Sequence, residues 1–245
     1  MIDSLSLASH VVPVDASHTF ESFFNQLKQE YVAARWMAYE GLSSEATHFS
    51  DRDVPLTPTL PRPALALAVE RMKASYRVCY SLFDKIAFLL NAYMQLGIEE
   101  KAVSFRSVWR SRDKQPLRAQ FDPRSKNWGF CALSWVARDF FERETEEVAE
   151  PEARNLREIR NHLEHKYLRV TVDSNPTNPP DDLAFNVSRE EFAAKCLHLL
   201  ALARSALIYL SVGVRFEELR RAPSRADLQI EELPATPELP DAEKK

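Results

Sequence analysis

The chain has 245 residues, only 4 of them Gly and 15 Pro. Average Gly usage near ~7% would supply about 17, which puts turn-rich sandwiches, barrels and Gly-loop nucleotide folds at a disadvantage. A hydrophobic content of 45%, a net charge of −4 and a pI of 5.9 suit a globular chain with a real core and argue against a generic nucleic-acid coat, though not against a nucleic-acid enzyme. Cys79, Cys131 and Cys196 are odd in number and far apart, a reduced pattern with neither a disulfide frame nor zinc spacing. No apolar run reaches ~18 residues and the N-terminus lacks a basic-then-apolar leader pattern, so the expectation is a cytoplasmic protein with no membrane partner.

Residues 1 to about 17 read as a Pro-interrupted arm. Thr19 is placed to cap a helix carrying Phe20, Phe23, Phe24, Leu27, Tyr31, Ala34 and Ala38, ending near Gly41. Pro55, Pro58, Pro61 and Pro63 forbid regular helix in the polar stretch that follows. From Ala64 to Leu96 no Gly or Pro occurs for 33 residues. Apolar residues recur there every three or four, which predicts a helix of roughly 50 Å at 1.5 Å per residue. Gly97 supplies its stop.

The segment from Ser104 to Asn127 holds seven basic residues (Arg106, Arg110, Arg112, Lys114, Arg118, Arg124 and Lys126) against Asp113 and Asp122, and reads as a long loop. Asn127 is placed to cap the next helix, which carries Trp128, Cys131, Leu133, Trp135, Val136 and Phe140. Pro151 suits the first turn of a further helix running to about Leu168. Val170–Asp173 and Leu183–Val187 are short β-like runs expected to pair as a small hairpin. Ser188 with Glu191 is a capping-box pattern opening a last helix to about Arg221. The tail from Pro223 carries six acidic and three basic residues with four prolines and is expected to be disordered. The fold expected is all-α, a bundle of four to five helices with a small β-hairpin between the fourth helix and the last. Its expected division is an N-terminal arm and helix over 1–60, the helical domain over 61–222, and the acidic tail over 223–245.

The stretch Glu150–Pro–Glu–Ala–Arg–Asn–Leu–Arg–Glu–Ile–Arg–Asn–His–Leu–Glu–His–Lys–Tyr167 carries the chemistry. On a wheel of about 100° per residue, Arg157, Arg160, Asn161, Glu164 and His165 share one arc of roughly 140°, while Leu156, Ile159, Leu163 and Tyr167 lie opposite. One face packs; the other gathers guanidinium, amide, carboxylate and imidazole. Arg holds phosphate through a planar fork that stays charged, and His transfers protons near neutral pH. Together, without a cluster of metal-ligating groups, they point to phosphodiester chemistry that needs no metal or other cofactor. RNA permits that route because its own 2′-hydroxyl is the nucleophile. By spacing alone the same face also suits a solvated helix surface.

Arg160–Asn161–x–x–x–His165 resembles the R-[NDH]-x-x-x-H signature of the HEPN superfamily, α-helical proteins many of which are metal-independent RNases. The resemblance covers roughly residues 64–215. It includes Tyr80–Ser–Leu–Phe–Asp–Lys–Ile–Ala87 on a long helix, then Asn91, the Trp109 region, Ala132–Leu133 with Trp135, and Glu150–Pro–Glu–Ala153 ahead of the motif. It implies that Arg160 clamps the phosphate, that His165 is the acid/base and that Asn161 orients it. With Tyr167 the motif also fits R-x-x-x-x-H-x-Y, a pattern of HEPN toxins whose partner nucleotidyltransferases modify that tyrosine. Tyr167 lies on the predicted packing side, however, where a buried core tyrosine is expected. The resemblance further implies an endoribonuclease of the toxin or phage-defence kind, with an antitoxin or defence-system partner. A non-catalytic module binding RNA or a nucleotide is the alternative.

Transesterification needs a base for the 2′-hydroxyl and an acid for the leaving 5′-oxygen. One chain supplies one matching His, so a homodimer with facing motif helices is expected. His162 is the in-chain alternative, but near ~200° on the wheel it points away. Asp84 and Lys85, mid-helix among apolar neighbours, pair, reach solvent or line the cleft; the resemblance favours Asp84 orienting Arg160 or His165, with Glu164 and Arg157 supporting. Asn91, seven residues on, either joins that network or faces water. For RNA binding, Arg110, Arg112, Lys114 and Trp109, with Phe105 and Phe121, offer charge and stacking surface. A solvated loop whose aromatics anchor it to the bundle is the other reading.

Overall fold

The structure is a computed structural model that describes residues 5, 14–44, 46–52, 54, 61–110, 116–141, 151–174, 176–178 and 183–221. Its main elements are α1 (Val14–Ser43), α2 (Leu67–Tyr93), α3 (Trp128–Phe141), α4 (Pro151–His165), β1 (Tyr167–Thr171), β2 (Ala184–Ser188) and α5 (Arg189–Arg221). The mostly helical bundle expected from periodicity is the observed architecture. α1 begins five residues before Thr19, so the proposed capping position lies inside the helix.

α2 is the central post. It packs along α1 on one side and α5 on another, while α3 lies against α5 and α4 bridges α2 and α3. Met72, Tyr76, Leu82, Ile86 and Leu90 of α2 meet Leu199, Ala203, Ala206 and Leu210 of α5 in one core. Phe24, Leu27, Ala34 and Ala38 of α1 are buried in that same core. Residues before and after position 60 thus contribute to one core. α5 is the one described helix long and apolar enough to cross a membrane, and half of its apolar window is buried inside the bundle.

Two local rules act as read. The Asn127 Oδ1 accepts the Phe130 N–H at 3.1 Å and caps α3, and the Ser188 Oγ accepts the Glu191 N–H at 3.1 Å at the start of α5. α3 and α5 touch through glycine: a Cβ on Gly129 would lie 2.3 Å from the Gly213 nitrogen, so no larger residue permits that approach. The three cysteines are buried and free; burial pushes the Cys79 thiol up to about 12, and those of Cys131 and Cys196 upward too.

The β-hairpin is corrected. β1 and β2 run parallel, with Tyr167 opposite Ala184 and Thr171 opposite Ser188. Twelve residues separate the end of β1 from the start of β2, about the length that parallel pairing requires and far longer than a tight hairpin turn. Parallel order also lets β2 run straight into α5 through Ser188. The far edge of β1 takes the backbone around Pro63, with the Ala64 N–H on the Val170 carbonyl at 2.8 Å and the Val172 N–H on the Arg62 carbonyl at 3.1 Å. Pro63 lacks the N–H a central strand would need and is tolerated on this edge.

Candidate functional site

α4 is amphipathic as the wheel requires. Leu156, Ile159 and Leu163 are buried, Arg157, Arg160 and Asn161 are half-buried, and Glu164 and His165 are exposed. α2 holds this helix in place from behind. The Tyr76 hydroxyl donates to the Leu156 carbonyl at 2.6 Å in the core. Arg77 Nη2 donates to the Leu163 carbonyl at 2.8 Å, and its Nε lies 3.6 Å from the Glu164 carboxylate. Leu163 is in the last turn, where carbonyls lack helical partners and a cation complements the dipole. Arg77 thus secures the turn that presents His165.

The Arg160 guanidinium lies 5.5 Å from the centre of the Tyr80 ring, a cation–π placement. Burial raises the Tyr80 pKa above its ordinary value; the nearby charge of Arg160 opposes this, Asp84 adds to it, and Arg157 opposes it again. Tyr80 is therefore a neutral, 8% exposed shelf beneath Arg160. Arg160 Nη1 also donates to the Asn161 Oδ1 at 3.3 Å. The bond Asn161 makes is with Arg160, whereas His165 was its expected partner.

Other expected residues fall elsewhere. The Asp84 Oδ1 accepts the Phe105 N–H at 2.9 Å, so Asp84 anchors the basic loop to α2. Asn91 closes the turn after α2 through two bonds to Ile98. Trp109 is corrected: it is 3% exposed, its indole N–H donates to the Phe105 carbonyl at 2.6 Å, and it meets Phe105 and Phe121 edge-on. With Phe105 and Phe121 fully buried, none of the three offers a face to a base. They turn inward because aromatic area gains more from the bundle than the loop gains from displaying it. Arg118 is bound into the same turn, donating to the Val108 and Arg110 carbonyls. Arg110 is half-buried beside it; Arg112 and Lys114 lie outside the described residues.

His162 is structural. Its Nδ1 sits 2.8 Å from the Glu158 carbonyl and its ring stacks on Phe185 at 4.9 Å. Tyr167 overturns the buried reading: it is 46% exposed. The wheel fails there because α4 stops at His165 and Tyr167 opens β1, where the side-chain period is two. Sequence reasoning finds Tyr76 only as part of the apolar stripe of the long helix and does not single out Arg77, since their partners lie 80 and 86 residues away. Tyr80 stands out in the sequence only as part of a longer pattern.

A family model for LA2681-like HEPN proteins matches residues 12–217. The chain belongs to this family. The match runs from just before α1 to near the end of α5, so the HEPN domain includes the N-terminal helix. No curated protein and no solved structure gives a significant match. HEPN domains are often RNases, and an RNase-like or nucleotide-binding role is the class to which this fold points.

On this HEPN chain the exposed face of α4 offers fixed positive charge from Arg160 and Arg157 and one accessible imidazole at His165. Among the described residues no group of three His, Cys, Asp or Glu side chains is placed to hold a metal ion. The face can bind an anion and move a proton.

Proposed function

We propose that the protein is a HEPN-type endoribonuclease that cleaves RNA by attack of the 2′-hydroxyl without a metal, in the manner of toxin or phage-defence effectors. The observation that carries this is the placement of Arg160, Asn161 and His165 on the solvent side of a helix whose other side is locked into the core. The His165 imidazole takes the 2′-hydroxyl proton as that oxygen attacks the adjacent phosphorus. Arg160, steadied by Tyr80 and Asn161, holds the phosphate and stabilises the charge of the phosphorane. The 5′-oxygen departs with a proton from a second acid. His162 is committed to Glu158 and Phe185, so the second acid is the imidazole of another copy, in a two-fold dimer. The products are a 2′,3′-cyclic phosphate and a 5′-hydroxyl.

The decisive experiment incubates purified protein with total RNA in EDTA and sequences the ends. Cyclic phosphate ends that vanish with His165→Ala support the reading. Strict Mg²⁺ dependence with 3′-hydroxyl products would sink it. RNA that binds equally to wild type and His165→Ala and is never cut would leave the α4 face as a binding surface. The exposure of Tyr167 also leaves its phenol open to a modifying partner enzyme, which intact-mass measurement after co-expression with a nucleotidyltransferase would detect.

A further inference from the structure

We infer that Tyr167, backed by Arg169, is a stacking platform for one base of a single-stranded RNA engaged at the Arg160–His165 face. This rests on the RNA reading above and adds a residue that selects where the strand lies. Strand alternation places Tyr167 and Arg169 on one side of β1, while Leu168 and Val170 between and beyond them are buried. Tyr167 keeps 46% of its surface in solvent, and the Arg169 guanidinium lies 5.3 Å from the centre of its ring.

The pair is built in advance of any ligand. Arg169 Nη1 donates to the Oδ1 of Asn186, its register partner on β2, at 3.1 Å. Asn186 is 3% exposed, and its Nδ2 donates to the Thr177 carbonyl at 2.8 Å. Its backbone is gripped on both sides by the Asn178 amide, which accepts from the N–H at 2.6 Å and donates to the carbonyl at 3.1 Å. A buried amide with this many bonds does not drift, so the guanidinium it holds is fixed under the ring. Preorganised aromatics bind without the entropic cost of ordering.

Position selects RNA as the occupant. Tyr167 follows His165 by two peptide units, at most about 7.6 Å between their Cα atoms. A base resting there belongs to a nucleotide adjoining the phosphate held by Arg160. Every base has a π-face that stacks on an aromatic ring, and a cation behind the ring strengthens the attraction for an electron-rich base. Trp109, Phe105 and Phe121 are closed to this role by burial. Trp128 and Trp135 are exposed on α3, whereas Tyr167 is joined to the motif helix by the chain itself.

The test uses the full chain with His165→Ala, to block cleavage, and a short single-stranded RNA carrying one 2-aminopurine, whose fluorescence is quenched on stacking. Adding Tyr167→Ala should abolish the quench and weaken binding about five- to 150-fold. Tyr167→Phe should rescue both, because the ring and not the hydroxyl does the stacking. Equal quenching with Tyr167→Ala, no quench in the parent, or a Tyr167→Phe variant as weak as the Ala would each overturn the platform. In parallel, Tyr167→Ala on the wild-type background should blur base preference at one position beside the cut. If wild type cuts RNA but the quench ignores Tyr167, the nuclease reading stands and the platform falls. If nothing is cut but the quench depends on the ring, the reverse holds.

Discussion

The exposed face of α4 and the loop from Ser104 to Asn127 look alike as strings, each mixing Arg with groups suited to nucleic acid. In the fold they part company. The α4 face keeps Arg157, Arg160, Asn161, Glu164 and His165 at the surface, because Leu156, Ile159 and Leu163 fill the core side of the helix. The loop folds its aromatics under itself. Phe83, Phe105, Trp109, Phe121 and Phe130 touch in succession, with ring centres 5.1, 5.6, 4.9 and 5.7 Å apart. Arg–aromatic interleaving in a sequence therefore marks a nucleic-acid surface only if the backbone turns the rings outward. Here burial takes the rings.

That contrast is sharpest under substitution of one residue from each region. His165→Ala should lower the cleavage rate by about 10²–10⁴-fold and leave the urea midpoint nearly unmoved, since the side chain is exposed. Single-turnover rates on a mapped RNA together with a denaturation curve check both halves. Trp109→Ala should do the opposite, costing about 3–5 kcal/mol of stability, with RNA affinity of the folded protein unchanged. A normal urea midpoint with weakened RNA affinity would restore Trp109 to the binding surface.

Smaller effects refine the picture. Asp84→Ala leaves the Phe105 N–H without its acceptor and should cost about 1–3 kcal/mol; Asp84→Asn keeps an acceptor oxygen and should cost less. A shift in the pH profile of cleavage, with stability intact, would instead return Asp84 to the motif. Asn127→Ala removes the α3 cap and should cost about 1 kcal/mol in urea titrations. Neutralising Arg110, Arg112 and Lys114 together should show its main effect on RNA binding. Its mark should be in salt titrations of RNA binding, with the log–log slope reduced by about 0.7 for each phosphate that is no longer neutralised. An unchanged slope would remove the loop from the interface entirely.

What the amino-acid order determined by itself was local. The run of 33 residues without Gly or Pro contains the 27 of α2; Asn127 and Ser188 capped the helices after them; and the 3.6 period divided α4 into a packed and an open face. These depend on neighbours within one or two turns, so a one-dimensional reading reaches them. Tertiary structure alone decided the rest. It ran β2 parallel to β1 where a hairpin was expected, and it ended α4 two residues before Tyr167, which turned that ring from the core to the solvent. It joined Asp84 to the Phe105 backbone, 21 residues on. It placed Tyr76, Arg77 and Tyr80 beneath residues 80 or so positions away. Each of these outcomes pits one partner against another for the same group. Only the packed chain brings both competitors within reach, and their burial and hydrogen-bond geometry choose between them.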